Sequence, residues 1–315
     1  MSKLLKIFKK QGGLKLIKQY WMGGALFTAI GEFVLLGKSR TALEILSLSS
    51  SLKTKQKLER KYRRKLKIFD KTYTEKPHEM SDIIWICWFQ GIENAPELVK
   101  RCYDSVKKNN PDKRIIVITS ENISQYVKFP EYIIEKWEKG IITHTHMTDL
   151  LRLELLIQYG GTWIDATVYC SGNDIPSYFF ESDLFFYQLL KPGRDGNGIY
   201  FSSWYMNAKT NNKILMATRE LCYAYWEDNN AMWDYFLLHD FMSIVLEYYM
   251  EDWNKIIPRD NATPHELLLR LFDKYDEQTW NAIKNQTPFH KLSYKFEQEK
   301  FKQNDTYYKK VVLGE

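Results

Sequence analysis

The sequence predicts an α/β fold, in which helices flank a mostly parallel sheet and a basic helical segment precedes it. Short, almost wholly apolar runs alternate along the chain with segments of helical periodicity, as expected when parallel strands are buried between helices. Residues 149–167, DLLRLELLIQYGGTWIDAT, contain one such transition: an apolar-faced helical pattern stops at two glycines, and a strand-like run follows.

The predicted elements follow one another from residue 83 onward. Strands are predicted over residues 83–89, 114–119, 163–168, 184–188 and 199–204. Helices are predicted over residues 96–108, 133–139, 146–159, 212–226 and 233–250. Pro96 suits the first turn of its helix, where a missing N–H removes no hydrogen bond. Strands separated by helices predict a sheet covered on both faces.

Length and composition fit one large domain with an extension. The chain has 315 residues, of which 44% are apolar and 15% aromatic, and this excludes a disordered protein. We predict a basic, apolar helical segment over residues 1–70 and the α/β domain over residues 80–315. Four widely spaced cysteines without a C-x-x-C pair exclude a disulfide framework and a cysteine zinc site, and favour reduced thiols in the cytosol.

The net charge of +6 combines two oppositely charged parts. Residues 1–69 contain 17 lysines and arginines against three acids, a net charge of +14, which leaves −8 for the rest of the chain. The two parts are therefore expected to face different partners. No recognised DNA- or RNA-binding module follows the basic part, so nucleic acid is not an expected partner.

The basic part surrounds an apolar run, residues 20–37, whose one charged residue is Glu32. We expect a helix that lies on the anionic inner face of a membrane, where each nearby Lys or Arg contributes about 1 kcal/mol. A helical hairpin packed on the α/β domain is the alternative. Glu32 and four glycines disfavour a transmembrane span. No small-residue cleavage site follows, so a secretory signal peptide is not expected.

Polar residues occupy defined positions in the helix–glycine–strand segment. Asp149 and Arg152 are three residues apart and share one helix face, where a surface ion pair is the simpler interpretation. Gly160 and Gly161 permit the left-handed backbone that ends a helix and begins a strand. Asp165 follows that strand at its carboxyl end, where open α/β sheets bind ligands, although an Asp there can also cap a turn.

Together with Tyr159 and Trp163, these residues resemble the D-x-x-R…Y-G-G-x-[YW]-x-D signature of glycosyltransferases with a DXD motif. The segment is more closely similar to their capsular polysaccharide synthesis branch, in which W-I-D-A-T replaces Asp-x-Asp. The resemblance extends to residues 84–91, Pro96 and residues 239–240. It implies a GT-A-like fold and a hexosyltransferase. Such an enzyme would move a sugar from a nucleotide sugar, a UDP-sugar, to a lipid-linked capsular or cell-surface polysaccharide, with retention of configuration.

The resemblance also implies roles for individual residues. It assigns catalysis to Asp165, Asp149 and Arg152. The donor-binding set it implies is Trp88, Phe89, Gln90, Gly91, Asp149, Arg152, Gly160, Gly161, Asp165 and Thr167. Trp85 is predicted to belong to the core instead.

The diphosphate that leaves during sugar transfer must be neutralised by a metal ion, cationic side chains or helix N-termini. Thr167 stands where the DXD signature has its second acid, and a hydroxyl cannot replace that carboxylate as a ligand. Asp165 alone offers few ligands to Mn²⁺ or Mg²⁺, which prefer several oxygen ligands. The resemblance makes His239, or else Asp240, a candidate to complete the metal site, and the sequence does not decide whether a metal is required.

Other ionisable or polar residues have two interpretations each. His144 and His146, in THTHMTD, are predicted to be loop residues with a structural or substrate-contacting role. His239 and Asp240 form an ionisable pair within the apolar run LLHDFM, so they are either site residues or capping and core residues. Asp240 and Asn207 are assigned to the acceptor side.

A glycine-rich segment, residues 191–198 (KPGRDGNG), resembles a phosphate-binding loop only superficially. It lacks the Walker spacing and the strand–helix context that such a loop requires. We predict a surface loop that covers the donor or the acceptor.

Two other functional classes fit parts of the pattern. An apolar strand that leads to IDAT is also typical of haloacid-dehalogenase-type hydrolases, but their chemistry needs Asp-x-Asp-x-Thr and the second Asp is absent. The alternative that Thr167 favours is a non-catalytic, membrane-bound glycan-binding or scaffold protein on a transferase fold. Phosphatase activity would indicate the first class, and UDP binding without turnover would indicate the second.

Overall fold

A computed structural model describes residues 14–191 and 198–315, and a five-stranded sheet lies at its centre. The strands are β1 (Ile83–Cys87), β2 (Arg114–Ile118), β3 (Gly161–Ile164), β4 (Val168–Cys170), β5 (Leu184–Gln188), β6 (Phe201–Ala208) and β7 (Phe289–Lys291). The central order is β2-β1-β3-β6-β5, and β4 pairs separately with β7. β1 is parallel to β2 and β3, whereas β6 is antiparallel to both of its neighbours. Four of these five strands therefore run the same way, which confirms the predicted mostly parallel sheet.

Helices surround the sheet and precede it. They are α1 (Leu14–Gly23), α2 (Leu26–Leu36), α3 (Arg40–Thr72), α4 (Glu97–Asn109), α5 (Ile123–Tyr126), α6 (Glu131–Glu138), α7 (His144–Tyr159), α8 (Tyr178–Glu181), α9 (Lys213–Asp228), α10 (Leu237–Tyr248), α11 (Met250–Trp253), α12 (Glu266–Arg270), α13 (Glu277–Lys284) and α14 (Gln298–Phe301). Short turns of 3₁₀ helix occupy Ile92–Asn94 and Thr263–His265, and a π-helical turn occupies Tyr308–Leu313.

Each face of the sheet has its own apolar core. Trp85, Trp163 and Met206 point to one face, where α3, α7, α9 and α10 cover them. Ile84 and Ile164 point to the other face, where α4 and α8 pack. A third cluster joins α4 to the C-terminal elements. Because side chains alternate along a strand, both faces of β1 and β3 are apolar, as expected for strands buried between helices.

Two consecutive glycines connect α7 to β3. Gly160 has φ +65° and Gly161 φ +90°, backbone angles that residues with a Cβ rarely adopt. A Cβ built on Gly161 would lie 2.4 Å from the carbonyl oxygen of Ile83, so β3 approaches β1 only because this side chain is absent. The indole Nε1 of Trp85 donates to the carbonyl of Gly160 at 2.9 Å, and Trp85 is fully buried, as predicted.

Several predicted boundaries differ from the observed ones. α7 begins at His144, because the Thr143 hydroxyl caps it by accepting from the amide of His146. The prediction that His144 and His146 lie in a loop is therefore wrong. β6 continues to Ala208, and α10 begins only at Leu237. Of the predicted loop at 191–198, residues 192–197 lie outside the described residues.

The N-terminal apolar run does not form one continuous helix. Gly24 has φ +75°, and the break there separates α1 from α2. None of the helices described in residues 14–191 and 198–315 is long and apolar enough to cross a membrane. Leu58 and Tyr62 of α3 belong to the same core as α9 and α10, so the second half of α3 packs on the sheet domain.

Candidate active site

A cleft of about 670 Å³ lies where β1 and β3 end. Three segments built around the sheet supply its walls: the chain after β1, the exposed side of α7, and the chain after β3. A fourth wall comes from β7 and the residues that follow it. The residues that line the cleft include Trp88, Phe89, Gln90, His144, Arg152, Asp165, Thr167, Tyr235, His265, Lys291, Tyr294 and Lys295.

Asp165 is held at several points at the end of β3. Its amide donates to the carbonyl of Trp204 at 2.8 Å, and its Oδ1 accepts from the indole Nε1 of Trp163 at 2.9 Å. Nη2 of Arg152 lies 3.6 Å from Oδ1, and Nζ of Lys291 lies 3.2 Å from Oδ2. The side chain is 27% exposed, toward the cleft. The structure thus presents one oriented carboxylate between two cations.

Arg152 and Asp149 form a buried pair beneath Asp165. Nη2 of Arg152 lies 3.3 Å from Oδ1 of Asp149, and both side chains are less than a tenth exposed. Nη1 of Arg152 donates to the carbonyl of Ser203, and the guanidinium lies 4.8 Å from the ring centre of Trp163. The simpler interpretation as a solvated surface pair is therefore wrong. Arg152 is fixed from several sides and orients Asp165.

The charge of Asp149 is stabilised by its neighbours. Burial acts to raise the pKa of its carboxyl, but Arg152 and the hydrogen bond from His146 outweigh burial, so this pKa lies below its usual value. His146 lies 3.3 Å from Asp149 through Nδ1, and its Nε2 accepts from the indole N–H of Trp226 at 2.9 Å. Because an indole only donates, the proton of His146 is on Nδ1 and points at Asp149.

Aromatic side chains form another part of the cleft wall. The ring of Phe89 lies 5.5 Å from that of Trp137 and 5.6 Å from that of His144, and the indole of Trp137 donates to Nδ1 of His144 at 3.2 Å. The ring of Trp88 meets the edge of Tyr294 at 5.6 Å. The predicted donor residues Trp88, Phe89 and Gln90 therefore lie together in the cleft with Arg152, Asp165 and Thr167.

Lys291 is the site residue that the sequence did not indicate. β7 pairs antiparallel with β4 so that Lys291 lies opposite Val168, and this pairing brings its ammonium to Asp165 and to the hydroxyl of Thr167, to which it donates. The segment FHK is short and carries no motif, so only the tertiary pairing reveals the contact.

The residues around Asp165 do not fit a divalent metal. Oδ2 of Asp165 faces an ammonium, Oδ1 accepts from an indole, and position 167 offers a hydroxyl that the same ammonium occupies. Within the described parts of the chain, no group of three His, Cys, Asp or Glu side chains is placed to hold a metal ion. His239, predicted to complete the metal site, is not among the residues that line the cleft, and burial, foremost, lowers its pKa to about 4.

Several predicted site residues lie away from the cleft. Gly160 and Gly161 form the turn at the opposite end of β3, and Gly91, with φ +81°, forms a turn beyond Gln90. Asn207 is buried in β6, where it accepts from Thr162 and donates to the carbonyl of Ser182.

Asp240 is also fully buried, and its nearest charges are Asp234 and Lys55 of α3, not those of the cleft. Burial raises the pKa of Asp240 well above its usual value, and neither carboxyl oxygen has a hydrogen-bond partner among the described residues.

Comparisons with known proteins give the family and several relatives. A family model described as "Capsular polysaccharide synthesis protein" matches residues 40–311. The chain is 33% identical over 102 residues to O-glycosyltransferase braB of Annulohypoxylon truncatum, across 30% of this chain and 24% of that protein. It is 25% identical over 173 residues to O-glycosyltransferase PaGT of Phomopsis amygdali, across 50% of this chain and 41% of that protein. The chain thus spans less than half the length of either relative.

Among solved structures, the PaToxG glycosyltransferase is similar at a TM-score of 0.37 and 16% identity, covering 64% of this chain and 81% of that one. The match to the family model covers more of the chain than these relatives do. It includes α3, the whole central sheet and the cleft residues from Trp88 to Lys295. The chain therefore belongs to the capsular polysaccharide synthesis protein family.

Proposed function

We propose that this chain is a glycosyltransferase that takes its sugar from a nucleotide diphosphate sugar, a UDP-sugar, bound in the Asp165 cleft. The observation that carries the proposal is the single carboxylate after β3, fixed by an indole and bordered by two cations. A sugar donor offers hydroxyls to a carboxylate and a diphosphate to cations. Family membership and similarity to O-glycosyltransferases support this reaction class.

Trp88 and Phe89 are our candidates for contact with the base and ribose. Both line the cleft directly after β1, and Phe89 is packed against Trp137. An aromatic ring offers a nucleobase a flat apolar surface that loses little conformational entropy on binding. Gln90 adds an amide that both donates and accepts, which suits the hydroxyls of ribose or of the transferred sugar.

We assign the leaving diphosphate to Lys291. Four contacts already hold Arg152, two with the carbonyls of Thr148 and Ser203 and two with carboxylates, so we assign it as a positioning residue. The ammonium of Lys291 contacts Asp165 and Thr167, and an ammonium has three donors, so one N–H is available to a phosphate oxygen. Exposed Lys295 adds a further positive charge to the cleft.

The proposed transfer breaks the bond between the anomeric carbon and a diphosphate oxygen, and it forms a bond between that carbon and an acceptor oxygen. The electron pair of the broken bond stays on the diphosphate, and the hydroxyl proton of the acceptor is released. A prearranged donor at such a developing charge contributes roughly 10²–10³ in rate. Lys291 is the side chain placed to supply that stabilisation.

We assign a lipid-linked capsular or cell-surface polysaccharide to the open side of the cleft. Tyr235, with 55% of its surface exposed, and Tyr294 both line this cleft. Exposed aromatic rings suit stacking against the apolar faces of sugar rings. The description of the family supports a polysaccharide acceptor.

The test incubates the full chain with a panel of UDP-, GDP- and CDP-sugars. Consumption of each donor is measured through the release of free nucleotide. We expect turnover of one donor class, and Asp165→Asn should lower it by at least about 100-fold if the carboxylate positions the sugar. Asp174→Asn, at an exposed position outside the cleft lining, is the matched control. UDP binding without turnover would support the non-catalytic scaffold instead.

A further inference from the structure

The first helices carry an apolar surface that nothing in the described chain covers. On α2, Phe27, Val34 and Leu35 are 79%, 75% and 82% exposed. A second row on α3 consists of Ile45, Leu48 and Leu52. We call the following set the hairpin surface: Trp21, Phe27, Ile30, Phe33, Val34, Leu35, Leu36, Ile45, Leu48 and Leu52, all exposed.

The arrangement of this set follows helical spacing. Phe27, Ile30 and Val34 lie at positions i, i+3 and i+7 of α2, and the row on α3 repeats that spacing. Each helix therefore presents an apolar stripe to the outside, in addition to the buried residues Ala29, Ala42 and Leu46 between the helices. Apolar stripes that face outward mark a binding surface.

The acid within the apolar run is turned away from this surface. Oε2 of Glu32 accepts a 2.6 Å hydrogen bond from the hydroxyl of Ser49 on α3, so its carboxylate lies between the two helices. Lys38 is exposed in the turn after α2, and Arg40 and Lys53 are exposed on α3. Residues 14–58 have one other acid, exposed Glu44, so positive charge dominates around the hairpin surface.

The exposed side chains at the end of α2 favour a lipid bilayer over a folded protein as the partner of this surface. Phe33, Val34, Leu35 and Leu36 are consecutive and all exposed. At 3.6 residues per turn, four consecutive side chains point around the whole circumference of a helix. A protein groove covers one side of a helix, whereas lipid acyl chains can surround its end on every side.

We infer that the hairpin surface docks on an anionic lipid bilayer, with the α2 end among the acyl chains and Lys38, Arg40 and Lys53 at the level of the phosphates. An interfacial helix with basic flanks has this form. This docking does not depend on the proposed sugar transfer. Membrane docking would also set the position of the cleft relative to the membrane. Ser51 of α3 donates to Asp234 at 3.1 Å, and the adjacent Tyr235 lines the cleft.

The test is co-sedimentation of the full chain with vesicles of equal parts phosphatidylcholine and phosphatidylglycerol, with pure phosphatidylcholine vesicles alongside. We expect binding to the anionic vesicles that weakens with salt. Val34→Glu with Leu35→Glu should reduce it by at least about tenfold, because two exposed apolar side chains that would enter the acyl chains are replaced by charges. Leu269→Glu changes a residue that is 78% exposed on α12, far from the hairpin surface in sequence, and is the matched control.

Failure of the wild-type chain to bind anionic vesicles would overturn the inference, as would equal binding by the Val34/Leu35 variant. Light scattering without lipid tests the other candidate partner of the hairpin surface, a second copy of the chain. If the wild type is dimeric and the Val34/Leu35 variant is monomeric, the surface joins two chains and the membrane inference is wrong.

Discussion

The ammonium of Lys291 lies 3.2 Å from Oδ2 of Asp165 and donates to the hydroxyl of Thr167. Thr167 occupies the position of the second acid in the DXD signature that this segment resembles. One carboxylate beside an ammonium thus stands where that signature has two carboxylates. Under the proposed function, we expect this fixed cation to favour a phosphate group of the donor over a metal ion at the site.

Replacing Lys291 should affect turnover far more than folding. We expect Lys291→Met to lower kcat/KM for nucleotide-sugar turnover roughly 100-fold, the effect of losing one prearranged donor at a developing charge. Lys291→Arg should retain part of the rate because it keeps the positive charge. Steady-state kinetics measure both, and Lys284→Met on α13, at an exposed position, is the control. Wild-type turnover by Lys291→Met would contradict the assignment.

Asp149 should stabilise the fold through Arg152 in a pH-dependent way. Asp149→Asn leaves the buried guanidinium without its closest charge and should cost about 3–5 kcal/mol in the free energy of unfolding near pH 7. Because folding lowers the pKa of Asp149, this contribution is present above the usual carboxyl pKa of about 3.9 and is lost as the pH falls through the folded value.

Urea unfolding from pH 3 to pH 7 measures this effect by comparing the wild type with Asp149→Asn. The difference in the free energy of unfolding between the two proteins should narrow at the acid end of the range. A gap that is constant with pH, or as small as that of exposed Asp174→Asn, would show that the pair does not act as proposed.

His290 should make the fold sensitive to acid. It is fully buried beside Lys291 on β7, and burial lowers its pKa to about 3. The unfolded chain, with a histidine pKa of about 6.5, binds more protons between these values, so stability is complete above about pH 6.5 and falls as the pH is lowered toward 3. His290→Phe should reduce the slope of unfolding free energy against pH in this range. Equal slopes in chemical denaturation of wild type and variant would refute the prediction.

The glycine turn before β3 should tolerate no side chain at its second position. Gly161→Ala adds a Cβ 2.4 Å from the Ile83 carbonyl at φ +90°, and we expect a loss of about 3 kcal/mol or more in unfolding free energy. Gly140→Ala is the matched control, because Gly140 also has positive φ (+68°) but has open space around it. It should cost only about 1–2 kcal/mol. Similar losses in the two variants would mean that the contact between β1 and β3 relaxes easily.

The sheet and the centre of the cleft were predictable because their signals are local. The alternation of apolar runs predicts β1, β2 and β5, and a helix that ends at paired glycines predicts how β3 carries Asp165 to the carboxyl edge. The spacing of Asp149 and Arg152 predicts that they share a face of α7. Their burial was not predictable, because their contacts involve distant elements: Arg152 donates to the carbonyl of Ser203, and the His146 beside Asp149 accepts from Trp226.

The contacts that the sequence did not reveal arise from tertiary pairing. Lys291 reaches Asp165 through a three-residue strand pair, β4 with β7, which is too short to leave a periodic pattern. Asp240 and His239 are neighbours on α10, yet their nearest charges differ, because adjacent helix positions point about 100° apart. The membrane interpretation of the N-terminal run stays a prediction. The sequence also did not reveal that Glu32, the one charged residue of this run, turns toward Ser49 of α3.

Calorimetric titration of UDP into the full chain in the presence of EDTA, repeated with Lys291→Met, tests most directly whether Lys291 receives the diphosphate. We predict that the wild type binds UDP without added metal and that the variant binds at least about tenfold more weakly, the loss of one charge-assisted hydrogen bond to phosphate. Binding that appears only after Mn²⁺ or Mg²⁺ is added, or equal affinity in both proteins, would contradict an ammonium at Asp165 as the group that receives the diphosphate.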